Sequence, residues 1–282
     1  MLIIGVLIIS FSVCFMVRAL PGDYGFELHE FDPFFNYRAT QFIVENGFSA
    51  YFEWNDELSW YPYGRDVSAT SQVMLHITAA TLYKIFGAGS SMYDFTIWLP
   101  VVLGSLTTVI VFALVRTIGG TTAGLIASLL FSVSPMIIMR GPIGWFKSEP
   151  LGLFYGLLAA YLFLSGIKSN NGKISLAKIA GGGVLLALGV ASWGGVQFFI
   201  IPIGFFILAL PFLRKDSKFI ISACVVFVSA FMLVTMSFEK TGLMFATSLS
   251  GFFLIGCTAF LIATALVRKI SSKVKPLLVL LG

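Results

Sequence analysis

Charge is what this chain has least of. Only 11% of its 282 residues are Asp, Glu, Lys or Arg, while 58% are apolar. Ordinary soluble domains carry roughly 25% charged residues, so the shortage excludes a soluble globular class. The net charge of +5 does not point to nucleic acid, because its placement along the chain accounts for it. Cysteine is scarce as well. Cys14, Cys224 and Cys257 all lie inside apolar runs, which rules out a disulfide framework or a cysteine metal motif and leaves them as small buried hydrophobes. Strict apolar–polar alternation is missing, so a transmembrane β-barrel is excluded. Internal repeats and low-complexity tracts are absent too.

What is present is a series of long apolar runs, each near the ~20 residues a helix needs to cross a bilayer. They predict an all-α polytopic membrane protein occupying residues 1–282. Whole spans are expected at about 1–19, 95–115, 119–138, 149–167, 177–192, 195–213, 218–236 and 244–267, with a truncated ninth from 276. The first run has neither a basic leader nor a small-residue cleavage site, so it reads as a retained helix. Because the last run is too short to span, the chain reads as the N-terminal portion of a larger protein, with its activity expected to be incomplete. Loops on one side carry eleven cations and one acid, Asp216; those on the other carry seven cations and twelve acids. The basic side is expected to be cytoplasmic. The long loop 20–94, Arg140, Lys147, Glu149, Trp193 and Glu239 then face outward.

The long loop is too rich in Trp, Tyr and Phe to be a disordered linker. Asp32-Pro33 has the form of an acidic N-cap followed by Pro at the first helical position. Phe35, Ala39, Phe42 and Ile43 then recur at helical spacing, and Gly47 is suited to end the helix. Trp60 to Arg65 reads as a fixed turn, and a second amphipathic helix is expected over 71–86. Both helices should lie along the outer membrane face.

Ionisable groups in so apolar a chain are candidate functional groups. The densest stretch, His29 to Arg38, holds two acids, a His and an Arg. Asp32 has two readings, helix cap and reactive carboxylate. Glu149, at the entrance of the fourth span, is a second outward acid, and such carboxylates hold hard cations such as Mg²⁺ or Mn²⁺. Arg140 suits a phosphate. Trp193, followed by Gly194-Gly195, offers either a stacking face or an interfacial anchor. His29 reads as solvated or as a metal ligand, Glu239 as a solvated loop acid, and Tyr61 and Arg65 as loop pins. His76 receives no role.

Five segments together resemble the catalytic subunit of oligosaccharyltransferase of the archaeal and eukaryotic type: residues 29–38, Trp60-Tyr-Pro-x-Gly-Arg65, Gly119-Gly-x-x-Ala-Gly124, Arg140 to Glu149, and Ser192-Trp-Gly-Gly195. The resemblance implies a C-type glycosyltransferase fold with a long, partly helical first external loop. It implies transfer of a glycan from a lipid-linked phosphate or pyrophosphate donor to the amide nitrogen of Asn in Asn-x-Ser/Thr, with Mn²⁺ or Mg²⁺ as cofactor and membrane lipid as surroundings. By position, Asp32 matches the metal-binding aspartate that contacts the acceptor amide. Glu149 matches the second acid of the next acidic motif, Arg140 the arginine ahead of it, and Trp193 a residue near the substrate cleft.

Lys147 stands where the family usually has an acid, and is expected to replace part of a metal's charge near the donor phosphate. The family's later glutamate motif and C-terminal soluble domain are not found; Glu239 comes too early in the span order to take the glutamate's role. Two other activities fit parts of the pattern. One is a lipid-phosphate-dependent mannosyltransferase acting on hydroxyls, and the other is an ion-coupled transporter, which would place charges inside the spans.

Overall fold

The computed structural model describes residues 1–87, 89–169, 171–215 and 217–270, together with Pro276 and Val279. It is helical almost throughout, and divides into one unit of residues 1–157 with 191–194 and a second of residues 158–190 with 195–282. Among the described residues, six helices are long and apolar enough to cross a membrane. The protein is a multi-pass membrane protein.

In the first unit, α1 (Leu2–Ala19) packs along α6 (Met92–Val133), with Phe15 stacked on Trp98 at 5.5 Å. Two expected spans fall within α6. At Gly120 its backbone turns to φ 86°, ψ 177°, a conformation open to glycine. Ser128 Oγ on the returning half donates to the Thr108 carbonyl at 2.9 Å. A short helix α7 (Pro135–Ile138) and the connection after it lead into α8 (Ser148–Ile167).

The long loop holds α2 (Phe31–Asn46), α3 (Phe48–Phe52), α4 (Val67–Thr70) and α5 (Val73–Phe86). It also holds a two-stranded antiparallel ribbon, β1 (Asn55–Asp56) with β2 (Arg65–Asp66), which closes the Trp60–Arg65 turn. Helix α2 begins two residues earlier than the sequence suggests. The cap position belongs to Glu30, at φ 65°, and Asp32 sits in the first turn with no side-chain cap bond. Its carboxylate is therefore left for other partners. Gly47, at φ 91°, ends the helix as expected. Pro33, Asn36, Ala39, Thr40 and Ile43 form the buried side of α2, and α5 packs against it.

The second unit contains most of α9 (Gly172–Ser192), α10 (Gln197–Ala209), α11 (Lys218–Met236) and α12 (Leu249–Ile270). Helix α10 has only 13 residues, shorter than its expected span, because a 3₁₀ turn precedes it at Gly194–Val196. Another 3₁₀ turn, Leu243–Thr247, delays the start of the eighth span to Leu249. The ninth expected segment, from 276, lies outside the described residues apart from Pro276 and Val279. All three cysteines are buried and free.

Helix–helix packing in membranes relies on close backbone approach at small residues. At Gly183 a Cβ would lie 2.4 Å from the Phe227 carbonyl oxygen and 3.0 Å from the Phe231 amide nitrogen. Gly183→Val is expected to destabilise the second unit by about 1–3 kcal/mol, the usual cost of overpacking. Thermal unfolding of purified protein checks it; an unchanged midpoint would contradict this account of the α9–α11 contact.

Candidate active site

The connection between α7 and α8 is held against the rest of the first unit by its backbone. Ile143 N–H donates to the Arg18 carbonyl at 2.8 Å, Gly144 N–H to the Ile97 carbonyl at 3.1 Å, and His29 N–H to the Gly144 carbonyl at 3.2 Å. The last of these ties the connection to the start of α2 and brings Lys147 beside the first-loop acids. Lys147 Nζ lies 3.2 Å from an Asp32 carboxylate oxygen and also pairs with Glu30. The lysine side chain is 13% exposed. Burial works against its charge, but the hydrogen bonds it donates to Glu30 and Asp32 outweigh that cost and raise its pKa above the ordinary lysine value.

Arg140 Nη1 stands 3.6 Å from Glu149 Oε1. Both cations lie near the Trp145 ring, Lys147 Nζ at 4.4 Å from its centroid and Arg140 Cζ at 6.0 Å. The Trp145 indole nitrogen is buried with no hydrogen-bond partner among the described residues. Two cations and an unused N–H donor around one ring form an environment suited to an anion.

Behind Lys147 runs a buried polar chain. The Asn36 amide donates to the Phe146 carbonyl at 2.9 Å, so its oxygen is left to accept from His76 Nε2 at 2.9 Å. His76 Nδ1 then accepts from the Tyr51 hydroxyl at 2.6 Å. This assignment makes the imidazole neutral, with its proton on Nε2. Tyr51 is fully buried and His76 is 1% exposed. Burial raises the Tyr51 phenol pKa well above its usual value, despite the opposing influence of Arg65. The chain fixes the residue next to Lys147. Gln72 does a similar job on the other side: with its amide oriented to suit its neighbours, it donates to the Ser192 carbonyl at 2.9 Å and Ser148 Oγ at 2.7 Å, and accepts from Gly194 N–H at 3.2 Å. It thereby joins the long loop to the entrance of α8 and to the segment carrying Trp193.

Arg140, Glu149 and Trp193 line one cavity of about 470 Å³. Asp32 is not among its lining residues; its carboxylate faces Lys147 instead. The expected metal ligands, Asp32 and Glu149, are each engaged by a cation. Among the described residues, no three His, Cys, Asp or Glu side chains are grouped to hold a metal ion, His29 included. A hard divalent cation wants about six oxygen donors, so the residues present do not fit one as they stand.

The sequence reading missed Asn36, His76 and Gln72, whose roles depend on partners far along the chain. It also gave no task to Arg18, although a cation at the end of an apolar helix is itself a signal.

Residues 6–276 match the family described as "Oligosaccharyl transferase STT3, N-terminal". The chain is 33% identical over 211 residues to the STT3B subunit of the dolichyl-diphosphooligosaccharide–protein glycosyltransferase of Oryza sativa subsp. japonica, covering 73% of this chain and 29% of that protein. It is 32% identical over 186 residues to the STT3B subunit of Arabidopsis thaliana, covering 65% of this chain and 25% of that protein. The chain thus spans under a third of the length of these relatives. Its fold is similar to that of the Archaeoglobus fulgidus oligosaccharyltransferase AglB solved with an inhibitory peptide and a dolichol-phosphate, with TM-score 0.77 and 19% identity over 99% of this chain and 36% of that one. A structure of the same species' oligosaccharyltransferase with Zn and sulfate gives TM-score 0.77 and 20% identity over 98% of this chain and 38% of that one.

Proposed function

The chain belongs to the oligosaccharyl transferase STT3 family, and from that premise we propose that its outward loops form part of a site for protein N-glycosylation. The donor is a lipid-linked phosphate or pyrophosphate glycan, and the acceptor is the side-chain amide of Asn in Asn-x-Ser/Thr. The observation that carries this reading is the meeting of the first-loop acid Asp32 with Lys147 of the next outward loop, close to the Arg140–Glu149 pair. A carboxamide nitrogen is a poor nucleophile because its lone pair is delocalised into the carbonyl. Asp32 and Glu149 would accept hydrogen bonds from the amide N–H groups and weaken that delocalisation. Arg140 and Lys147 would bind the donor phosphate and stabilise the charge growing on it as the sugar leaves. Trp193 would line the substrate cleft. These groups lie on the extracytoplasmic face, and the basic loops on the cytoplasmic one.

The family resemblance implies Mn²⁺ or Mg²⁺ on Asp32 and Glu149, which these two acids do not fit as they are paired here. With both acids already paired to cations, Lys147 is the group proposed to supply positive charge beside Asp32. Lys147→Asp would place a third carboxylate between Asp32 and Glu149 in the sequence of donors and remove the competing ammonium. Calorimetric titration with Mn²⁺ should then show at least about tenfold tighter binding than in the unaltered protein, a difference of about 1.4 kcal/mol. Equal affinities would end the idea that Lys147 displaces a metal. Tighter metal binding with an unaltered transfer rate would instead end the idea that the Lys147 charge takes the metal's place beside the donor phosphate.

The function is tested with membranes from cells expressing the gene that encodes this chain. Lipid-linked oligosaccharide is supplied with peptides containing Asn-x-Thr, Gln-x-Thr, or Ser and Thr without Asn. Glycan on the Asn peptide alone is the expected result. Glycan on the hydroxyl peptides would instead support the mannosyltransferase reading.

A further inference from the structure

Helices α10 and α12 run side by side in the same direction, kept in step by contacts along their length. Ser250 Oγ donates to Gln197 Oε1 at 3.0 Å near their starts. The rings of Phe205 and Phe253 meet at 5.3 Å further on, and those of Phe212 and Phe260 stack at 5.8 Å just past the end of α10. Arg268 then donates from Nη2 to the Pro211 carbonyl at 2.8 Å. The last turn of α12 is thereby fastened to the turn that joins α10 to α11. That turn carries Arg214 and Lys215, α11 opens with Lys218, and α12 closes with Arg268 and Lys269. Cations are thus gathered at one end of the second unit, with Arg214, Lys215, Lys218 and Lys269 exposed. Among the described residues no carboxylate pairs with Arg214, Lys215 or Lys218.

Two of these cations stand where local physics would choose another residue. Arg214 has φ 53°, the left-handed conformation that ends many helices and ordinarily belongs to glycine. The turn it makes is closed by Lys215 N–H, which donates to the Leu210 carbonyl at 3.0 Å. Lys218 takes the first helical position of α11, where the peptide dipoles favour an acid, and that first turn holds none. Positive charge is kept at both places against the preference of the backbone, which points to a use outside the fold itself.

The same turn bares apolar side chains: Phe212 is 45% exposed, Leu213 66% and Phe219 39%. Cations beside bare apolar groups suit neither water nor hydrocarbon alone. They suit the boundary between the two, where cations meet lipid phosphate and apolar groups reach the acyl chains. A water-soluble anion would match the cations but leave Phe212, Leu213 and Phe219 in water.

We propose that the α10–α11 turn and the end of α12 form a binding site for anionic phospholipid headgroups, with Arg214, Lys215 and Lys218 holding phosphate and Phe212 and Leu213 entering the acyl region. The site lies at the C-terminal ends of α10 and α12, and the proposal does not depend on the transfer reaction.

The test uses purified protein in detergent and native mass spectrometry with three probes: dioleoyl phosphatidylglycerol, dioleoyl phosphatidylcholine and inorganic phosphate. Phosphatidylglycerol should be retained at least about tenfold more than phosphatidylcholine, and inorganic phosphate should bind far more weakly. The double variant Lys215→Gln, Lys218→Gln should cut that preference to about threefold or less, with an unchanged thermal midpoint. Arg214→Gly separates lipid binding from a structural role. It relieves the left-handed position, so the midpoint should hold or rise, while the preference falls. Lys240→Gln removes a charge from the connection after α11 and should leave the preference unaltered. Equal retention of the two lipids by the unaltered protein would overturn the proposal. So would an unchanged preference in the folded double variant, or an equal loss in Lys240→Gln. A lower midpoint with unchanged preference in Arg214→Gly would make that arginine structural and overturn its part in the site. Inorganic phosphate bound as tightly as phosphatidylglycerol would assign the cations to a free anion instead.

Discussion

Asp32→Asn is expected to reduce glycan transfer by about 100- to 1,000-fold, the range seen when one preorganised electrostatic contact to a transition state is removed. The substitution keeps size and shape. The side chain is 68% exposed and makes no helix-cap bond, so stability should change little. What changes is charge. The amide of Asn has an N–H₂ group of its own, which would face Lys147 Nζ or the acceptor amide with donors where an acceptor is needed. Lys147 would keep Glu30 as its remaining carboxylate partner. Glu57→Gln, at an exposed position of the same loop, serves as the control and should leave the rate unchanged. Initial rates at saturating acceptor peptide give the comparison. Asp32→Asn at control rate would remove Asp32 from the chemistry.

The largest effect on stability is expected from Asn36→Leu. The two side chains share the same number and branching of heavy atoms, so the shape is largely kept, and the main loss is polar. The Phe146 carbonyl loses its donor and the His76 Nε2 proton loses its acceptor. Each orphaned buried group costs about 1–3 kcal/mol, so the pair should cost about 2–6 kcal/mol. Tyr51→Phe removes only the outer end of the same chain, the hydrogen bond to His76 Nδ1, and should cost about 1–3 kcal/mol, from one group rather than two. The order of the thermal midpoints, unaltered protein above Tyr51→Phe above Asn36→Leu, checks the network. A displaced Phe146 also moves Lys147, so transfer should fall in Asn36→Leu even below its melting range. Midpoints that agree for all three proteins would show that the chain of hydrogen bonds carries no stability.

Several features were legible because they depend on local pattern. Apolar runs of helical length gave the spans, and the long helices of the structure fall on them. Gly47 ended α2 as its lack of a side chain suggested. Other features escaped because nothing local encodes them. Pro33 made Asp32 look like a helix cap, yet the helix starts at Phe31, two residues earlier, in a stretch where the preceding His29 is tied to the α7–α8 connection through Gly144. The ribbon of β1 and β2 is only two residues per strand, too short to leave a period. His76 looked like any apolar-face histidine until Asn36 and Tyr51 came to it from other helices.

Composition alone determined that this protein lives in a bilayer, because a chain so poor in charge and so rich in long apolar runs has no other way to satisfy its backbone and hide its side chains. It also determined which few residues carry charge outside the spans. Only the tertiary structure decided how those charges pair: Lys147 with Asp32 and Glu30, Arg140 with Glu149, and Arg18 with carbonyls rather than an acid. Hydropathy is a property of each segment taken separately. Ion pairing depends on distances of a few ångströms between segments far apart in the chain, and these are set by the backbone bonds and glycine contacts that seat one loop on another.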